Sequence, residues 1–287
     1  MSAHAGDATG SAEPPAELLR RRVADDPSSP FVTFYDDAAG ERVELSARTF
    51  DNWVAKTANF LVDGLAAEPG TRAVLVLPPH WQTAVWLMAC WSAGIVAQPV
   101  DPGTFRDGTI EPPPPSEPYI LAAAQEVLDD VVADEALAGG AEEVVGLSLH
   151  ALGGPLADCP PGVTDYAAEV RGHGDRFTPS PEVTPEAPAL NVTNATFSGA
   201  DLVAEARAAA DRWELDARDR LLVDMPFATL NGVLTGLLAP LASGASVIIQ
   251  RNFDEAVLDR RLTVEHVTVV AGPLGPNAAS ESPRRLA

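Results

Sequence analysis

An unbroken apolar run, Ala73-Val-Leu-Val-Leu77, and a second run apolar but for Gln98, Gly94-Ile-Val-Ala-Gln-Pro-Val100, flank an apolar helical stretch from Trp81 to Ser92, and Pro78-Pro79 closes the first run. A strand with one wet face alternates polar and apolar residues. A strand that is apolar at nearly every position is buried on both faces, as happens when helices cover a parallel sheet on both sides. This strand, helix, strand order restricts the chain to an α/β fold built on parallel βαβ units.

The rest of the chain agrees with that restriction. Phe31-Val-Thr-Phe-Tyr35, a turn at Asp36-Asp-Ala-Ala-Gly40 and a return at Glu41-Arg-Val-Glu-Leu45 predict a hairpin. Arg48 to Leu65 sets Phe50, Trp53, Val54, Thr57, Phe60 and Leu61 on one helical face, with Lys56 opposite them as a solvated surface residue. A second βαβ-like set follows as strand Tyr119–Ala124, helix Glu126–Ala138 and strand Val144–Leu149. The last third predicts helix Ser198–Trp213, strand Leu221–Met225, helix Leu230–Leu241, strand Ser246–Ile249, helix Phe253–Leu262 and strand Val267–Val270. Around these elements, residues 1–16 read as a disordered leader, Glu111–Pro118 as a polyproline II spacer, 150–189 as a Pro-rich surface connection and 272–287 as a tail. Residues 17–271 form one domain, with 71–149 as one lobe and 30–65 plus 198–271 as the other.

Charge excludes several classes of function. The 41 acidic residues outweigh 19 basic ones, for a net charge of −22, so the field repels nucleic-acid phosphates and anionic membranes. Cys90 lies in the apolar helix and Cys159 in a Pro-rich loop, a pair that predicts no disulfide, no zinc site and a cytoplasmic location. The most apolar stretch, Ala84 to Ala97, is shorter than the ~20 residues needed to span a bilayer. His173, in Arg171-Gly-His-Gly-Asp175, sits where Asp175 would orient it, but no nucleophile motif accompanies it, and a surface loop is the simpler reading. His80, His150 and His266 border helices or strands and read as structural.

Several ordered blocks resemble one enzyme family. Thr49-Phe-Asp-Asn-Trp-Val-Ala-Lys-Thr-Ala-Asn-Phe-Leu61, Glu68-Pro-Gly-Thr-Arg-Ala-Val-Leu-Val-Leu-Pro78 and Gly94–Pro102 resemble the front of the AMP-binding, adenylate-forming superfamily of acyl-CoA synthetases and adenylation domains. Leu215–Pro226, Gly232–Val247 and Val267–Gly272 continue it. The resemblance implies two stacked parallel-sheet βαβ lobes, like a truncated adenylate-forming N-terminal domain. It also implies a Gly-rich phosphate loop ending in Pro-Lys-Gly before helix Ser198–Trp213, where flexible glycines expose N–H groups to phosphate and a lysine adds charge. The sequence there is Ala189-Leu-Asn-Val-Thr-Asn-Ala-Thr-Phe197, with no glycine and no lysine, and Lys56 is the only lysine in the chain. Thr193, Asn194 and Thr196 read either as hydrogen-bond donors to a ligand or as turn and helix-capping residues.

After Leu221–Met225 the family places an aromatic residue and a histidine along its cleft; this chain keeps Phe227 and lacks the histidine. Phe227, Thr229 and Asn231 are the candidates for a vestigial pocket, with ordinary core as the alternative for Phe227. The sequence stops fifteen residues after Gly272, short of the family's Mg²⁺-linked glutamate, ribose-binding aspartate and second lysine. The expectation is therefore a catalytically inactive relative, without catalytic residues, cofactor or metal, acting as a binding or regulatory module for an acyl or nucleotide ligand. Two alternatives stay open: an AMP-dependent ligase active only with a partner chain, and an interaction protein with no small ligand. The strand near Val267–Val270 is expected at or near a sheet edge, where a protein partner or a second copy would pair.

Overall fold

The computed structural model describes residues 12–106, 113–114, 117, 119–151, 153–273 and 283–286. Most of the expected leader and tail, and most of the segment Glu111–Pro118, lie outside the described residues. In chain order the strands are β1 (Pro30–Asp36), β2 (Glu41–Ser46), β3 (Arg72–Val76), β4 (Val96–Val100), β5 (Tyr119–Ala124), β6 (Glu143–Leu147), β7 (Val163–Asp165), β8 (Pro188–Val192), β9 (Ala195–Ser198), β10 (Arg220–Val223), β11 (Ser246–Arg251), β12 (Val269–Ala271) and β13 (Arg284–Arg285). They form a six-stranded sheet in the order β13-β12-β10-β11-β1-β2 and a seven-stranded sheet in the order β7-β6-β5-β3-β4-β8-β9. Both sheets are parallel except at one edge, where β1–β2 and β8–β9 close as antiparallel hairpins. The α/β architecture of two largely parallel sheets is as the sequence implies.

The helices between the sheets carry the core. Ser46 caps helix Ala47–Asn59 by accepting the Thr49 N–H at 3.2 Å. His80 caps helix Trp81–Ala93 through Nδ1, which accepts the Gln82 N–H at 3.1 Å, and Gly94 ends it at φ +75°. The second helix is buried along its whole length, as an all-round apolar helix must be. Edge-on ring contacts lock the two helices together and to β1: Trp53 with Trp81 at 5.3 Å and Phe31 with Phe50 at 5.1 Å.

Several expectations change. Residues Pro15–Asp25 form a helix, so Pro15 and Ala16 are ordered rather than part of a leader. The connection 150–189 contributes β7 to the seven-stranded sheet and the start of β8, and it is stitched to the first core helix rather than only wrapping the surface. Lys56 is not a freely solvated lysine: its Nζ donates to the His173 carbonyl at 2.5 Å. Asn59 Nδ2 donates to the carbonyls of Gly174 at 2.8 Å and Arg176 at 2.9 Å, and the buried Tyr166 hydroxyl lies 2.7 Å from that of Thr57. The strand at Val269–Ala271 lies near the sheet edge, as expected, with the two-residue β13 paired outside it. Helix Glu126–Ala138 is broken at Asp134, whose carboxylate caps the second piece by accepting from Ala136 and Leu137 N–H. Helix Leu230–Leu241 holds a π-helical turn at Leu234–Leu238, where Gly236 packs so tightly that a Cβ would stand 2.8 Å from the Phe227 ring.

Candidate functional site

A cleft of about 1700 Å³ opens beside the seven-stranded sheet. Gln98, Val100 and Asp101 of β4 and its following loop form one wall, and Asn191, Thr193, Asn194 and Thr196 of the β8–β9 hairpin form another. Pro226, Ala228 and Thr229, which follow β10, bring the six-stranded sheet to the same space, and Arg72 and Tyr119 line it at the start of β3 and β5. Ligand sites in α/β proteins collect on loops that leave the sheets in this way.

The hairpin is the decisive element. Val192 pairs with Ala195, so Thr193 and Asn194 alone make the turn, and both have positive φ, +52° and +62°. Two successive left-handed residues are the mark of the tight turn that matches strand twist, a position suited to glycine or asparagine. A β-branched threonine there is strained. Neither residue caps the next helix. Ser198 does so, accepting the Asp201 N–H at 3.1 Å while its own N–H donates to the Asp201 carboxylate at 3.0 Å.

The three pocket candidates separate in space. Thr229 lines the cleft, and its Oγ1 accepts the Gly232 N–H at 3.0 Å to start a helix. Phe227 is 2% exposed and belongs to the core beneath Gly236. Asn231 is exposed, with Nδ2 at 3.9 Å from Met225 Sδ, outside the cleft lining. Gly232 fixes this loop: a Cβ there would stand 1.9 Å from the Pro226 carbonyl oxygen, so only glycine lets the helix start press against the cleft-lining segment.

Sequence reasoning missed Arg72, Gln98 and Asp101. The signal was present as polar residues interrupting otherwise apolar strands. Arg72 donates to Gln98 Oε1 at 3.2 Å and to Glu117 Oε2 at 2.6 Å. Asp101 Oδ1 accepts the Gly103 N–H at 2.8 Å. The Tyr119 hydroxyl donates to the Leu137 carbonyl, and burial, aided by the Asp134 charge, raises its pKa above the ordinary phenol value. Among the described lining residues Arg72 is the one cation, and it is already paired. A magnesium-bound triphosphate asks for a glycine-lined nest of N–H groups with unpaired cations. The tight Thr193–Asn194 turn and the paired Arg72 do not fit it. The cleft offers hydroxyl and amide groups set among prolines and alanines, a lining suited to holding a ligand by hydrogen bonds and apolar contact.

The remaining candidates lie elsewhere. His173 packs edge-on against Phe60 at 5.7 Å, away from the cleft lining. His80 is fully buried as a helix cap. Cys90 is buried, Cys159 is exposed, and both are free thiols. Among the described residues no three His, Cys, Asp or Glu side chains gather as a metal-binding group, and no helix is long and apolar enough to cross a membrane.

Comparison with known proteins fits this geometry. The model of the AMP-binding enzyme family matches residues 19–113. A protein of Mycobacterium tuberculosis described as a TIGR03089 family protein is 39% identical over 253 residues, covering 88% of this chain and 96% of its own length. The sulfoacetate–CoA ligase of Cupriavidus necator is 26% identical over 252 residues, which take in 83% of this chain but 45% of the ligase. The solved N-terminal domain of FACL13 from Mycobacterium tuberculosis superposes with a TM-score of 0.69 at 15% identity, over 91% of this chain and 62% of that one. The chain thus has the fold of acyl-CoA synthetase N-terminal domains while spanning less than half the length of the ligase it matches. Its identity across nearly the whole mycobacterial protein carries the conclusion: the chain belongs to the TIGR03089 family, a relative of the adenylate-forming AMP-binding enzymes.

Proposed function

We propose that the chain is a non-catalytic relative of the adenylate-forming enzymes, a binding or regulatory module whose cleft holds an acyl or nucleotide ligand without activating it. The observation that carries this reading is the β8–β9 hairpin. Where the family's phosphate loop is expected, two strained residues, Thr193 and Asn194, close a turn with no glycine and no lysine. Carboxylate activation by ATP needs preorganised cations around the transferring phosphate, each worth several kcal/mol of barrier. Arg72, the cation at hand, is committed to Gln98 and Glu117. Hydroxyl, amide and apolar groups at Thr193, Asn194, Thr196, Thr229, Pro226 and Ala228 retain the means to bind.

The likeness to a sulfoacetate–CoA ligase favours a second reading, a ligase that takes its missing cations from another polypeptide. One experiment separates the two. A thermal-shift panel with ATP, AMP, CoA and a non-hydrolysable acyl-adenylate is run beside ATP–pyrophosphate exchange, because a ligand at one hundred times its dissociation constant stabilises by about 2.7 kcal/mol. A shift with AMP or the acyl-adenylate and no exchange, by the purified chain or by the chain with its co-purifying proteins added back, supports the binding module. Exchange by the purified chain refutes it, and no shift with any compound leaves an interaction protein.

A further inference from the structure

A second cavity, about 580 Å³, opens at the other end of the six-stranded sheet, where β1, β10 and β11 begin at Pro30, Arg220 and Ser246. Four arginines from three elements line it: Arg21 and Arg22 of helix Pro15–Asp25, Arg207 of helix Gly199–Arg212, and Arg220 of β10. Guanidinium groups gathered this closely repel one another unless anions lie among them. The protein's own carboxylates meet part of that need. Glu13, whose side chain is 13% exposed, is clamped between Arg21 and Arg207, and Arg220 pairs with Glu265 and Glu44. Arg22 differs. Among the described residues it forms no ion pair and donates only a long bond, 3.5 Å, to the Pro30 carbonyl, although acidic residues outnumber basic ones by 41 to 19 in the chain. Of the two acids at the cavity, Asp26 feels the Arg22 charge but is turned to Ser29, accepting its N–H at 3.2 Å as well as its hydroxyl, and Asp25 is exposed.

We propose that this cavity binds a small phosphorylated molecule, with Arg22 gripping the phosphoryl group and Glu13 competing with it for Arg21 and Arg207. A guanidinium fork matches phosphate oxygens two at a time, which a lysine ammonium does not. The volume lies in the range of small-molecule sites, and Leu18, Leu241 and Ala242 offer an apolar floor for the rest of the ligand. The site is distinct from the cleft: Arg220 opens β10, whereas Pro226 follows its far end.

Titration calorimetry of the full chain with inorganic pyrophosphate, against citrate at matched ionic strength, tests the proposal. The expected result is saturable pyrophosphate binding with a dissociation constant below about 1 mM. Arg22→Met and Arg207→Met should weaken it by about tenfold or more, and Arg22→Lys, which keeps charge and guards against a folding defect, should weaken it as well. Glu13→Gln should tighten it severalfold. Absence of saturable binding, binding unchanged in Arg22→Met and Arg22→Lys, or citrate binding as tight as pyrophosphate would overturn the phosphoryl site, and an unchanged or weaker affinity in Glu13→Gln would overturn the competition.

Discussion

Replacing Thr193 with glycine should make the protein more stable, an unusual outcome for a substitution in a cleft. Thr193 holds φ at +52°, and a non-glycine residue in that left-handed region costs about 1–2 kcal/mol, toward the upper end when it is β-branched. Glycine removes that cost but returns about 0.5–1 kcal/mol through the greater freedom of the unfolded chain. The balance is a gain of about 1 kcal/mol, or about 2 °C in melting temperature for a chain of this size. Asn194, at φ +62°, carries a side chain that tolerates this conformation, so Asn194→Gly should gain only a few tenths of a kcal/mol. Thr196 lies in β9 opposite Asn191 and has no positive φ, so Thr196→Gly should lose about 0.5–1 kcal/mol. Urea unfolding at pH 7 should therefore rank Thr193→Gly above Asn194→Gly, then the parent, then Thr196→Gly. If Thr193→Gly unfolds at or below the parent midpoint, the turn is unstrained and the argument that this hairpin stores conformational energy at the cleft fails.

Three further outcomes follow from side-chain environments. Burial would raise the Glu265 carboxyl, but hydrogen bonds from Arg42, Tyr35 and Arg220 outweigh it and hold the pKa at about 2 against an ordinary 4.5. That contribution is present above pH 4.5 and lost as pH falls towards 2, so Glu265→Gln should cost about 1–2 kcal/mol at pH 7, after screening around its exposed partner Arg42, and should flatten the acid limb of the stability profile. Urea midpoints that fall in parallel for parent and variant below pH 4.5 would count against it. Burial, with the Arg251 charge beside it, keeps His80 well below 6.5, so its contribution is present above pH 6.5 and declines as pH falls below it. His80→Asn keeps a capping acceptor for the Gln82 N–H and should lose less stability than the parent on going from pH 7 to pH 5 by the same assay. Gly232→Ala drives a Cβ to 1.9 Å from the Pro226 carbonyl oxygen and should destabilise by about 1–3 kcal/mol; a wild-type melting temperature would show that the cleft-lining loop yields freely.

The parts of the fold that were legible in the sequence are those where burial alone sets the pattern. Tyr119–Ala124 is apolar at every position and is buried at every position in β5, and the helix from Trp81 is wrapped by core on all sides. The parts that stayed hidden depend on partners far away. Val163–Asp165 becomes a strand because Val144–Gly146 offers a free edge, not because three residues declare it. The β8–β9 hairpin lacks the Asn-Gly or Asp-Gly turn that announces such structures, and Thr193 is a residue that local preference would keep out of it. Thr229 and Thr193, Asn194 and Thr196, whose polar groups stand out in the sequence beside the missing loop, line the cleft. Phe227 looked the same in sequence as a pocket aromatic, and its fate was decided by Gly236 packing onto its ring.

The pairing of β1 with β11 joins Val32 to Val247 across most of the chain. During synthesis the β1–β2 hairpin emerges early, and at ordinary elongation rates it waits roughly ten to forty seconds for β11 to leave the ribosome. Throughout that interval Phe31, Val32 and Phe34, all buried in the finished sheet, sit beside an open edge. A nascent chain in this state is a substrate for chaperones, and its yield in cells should depend on their supply more than its native stability suggests.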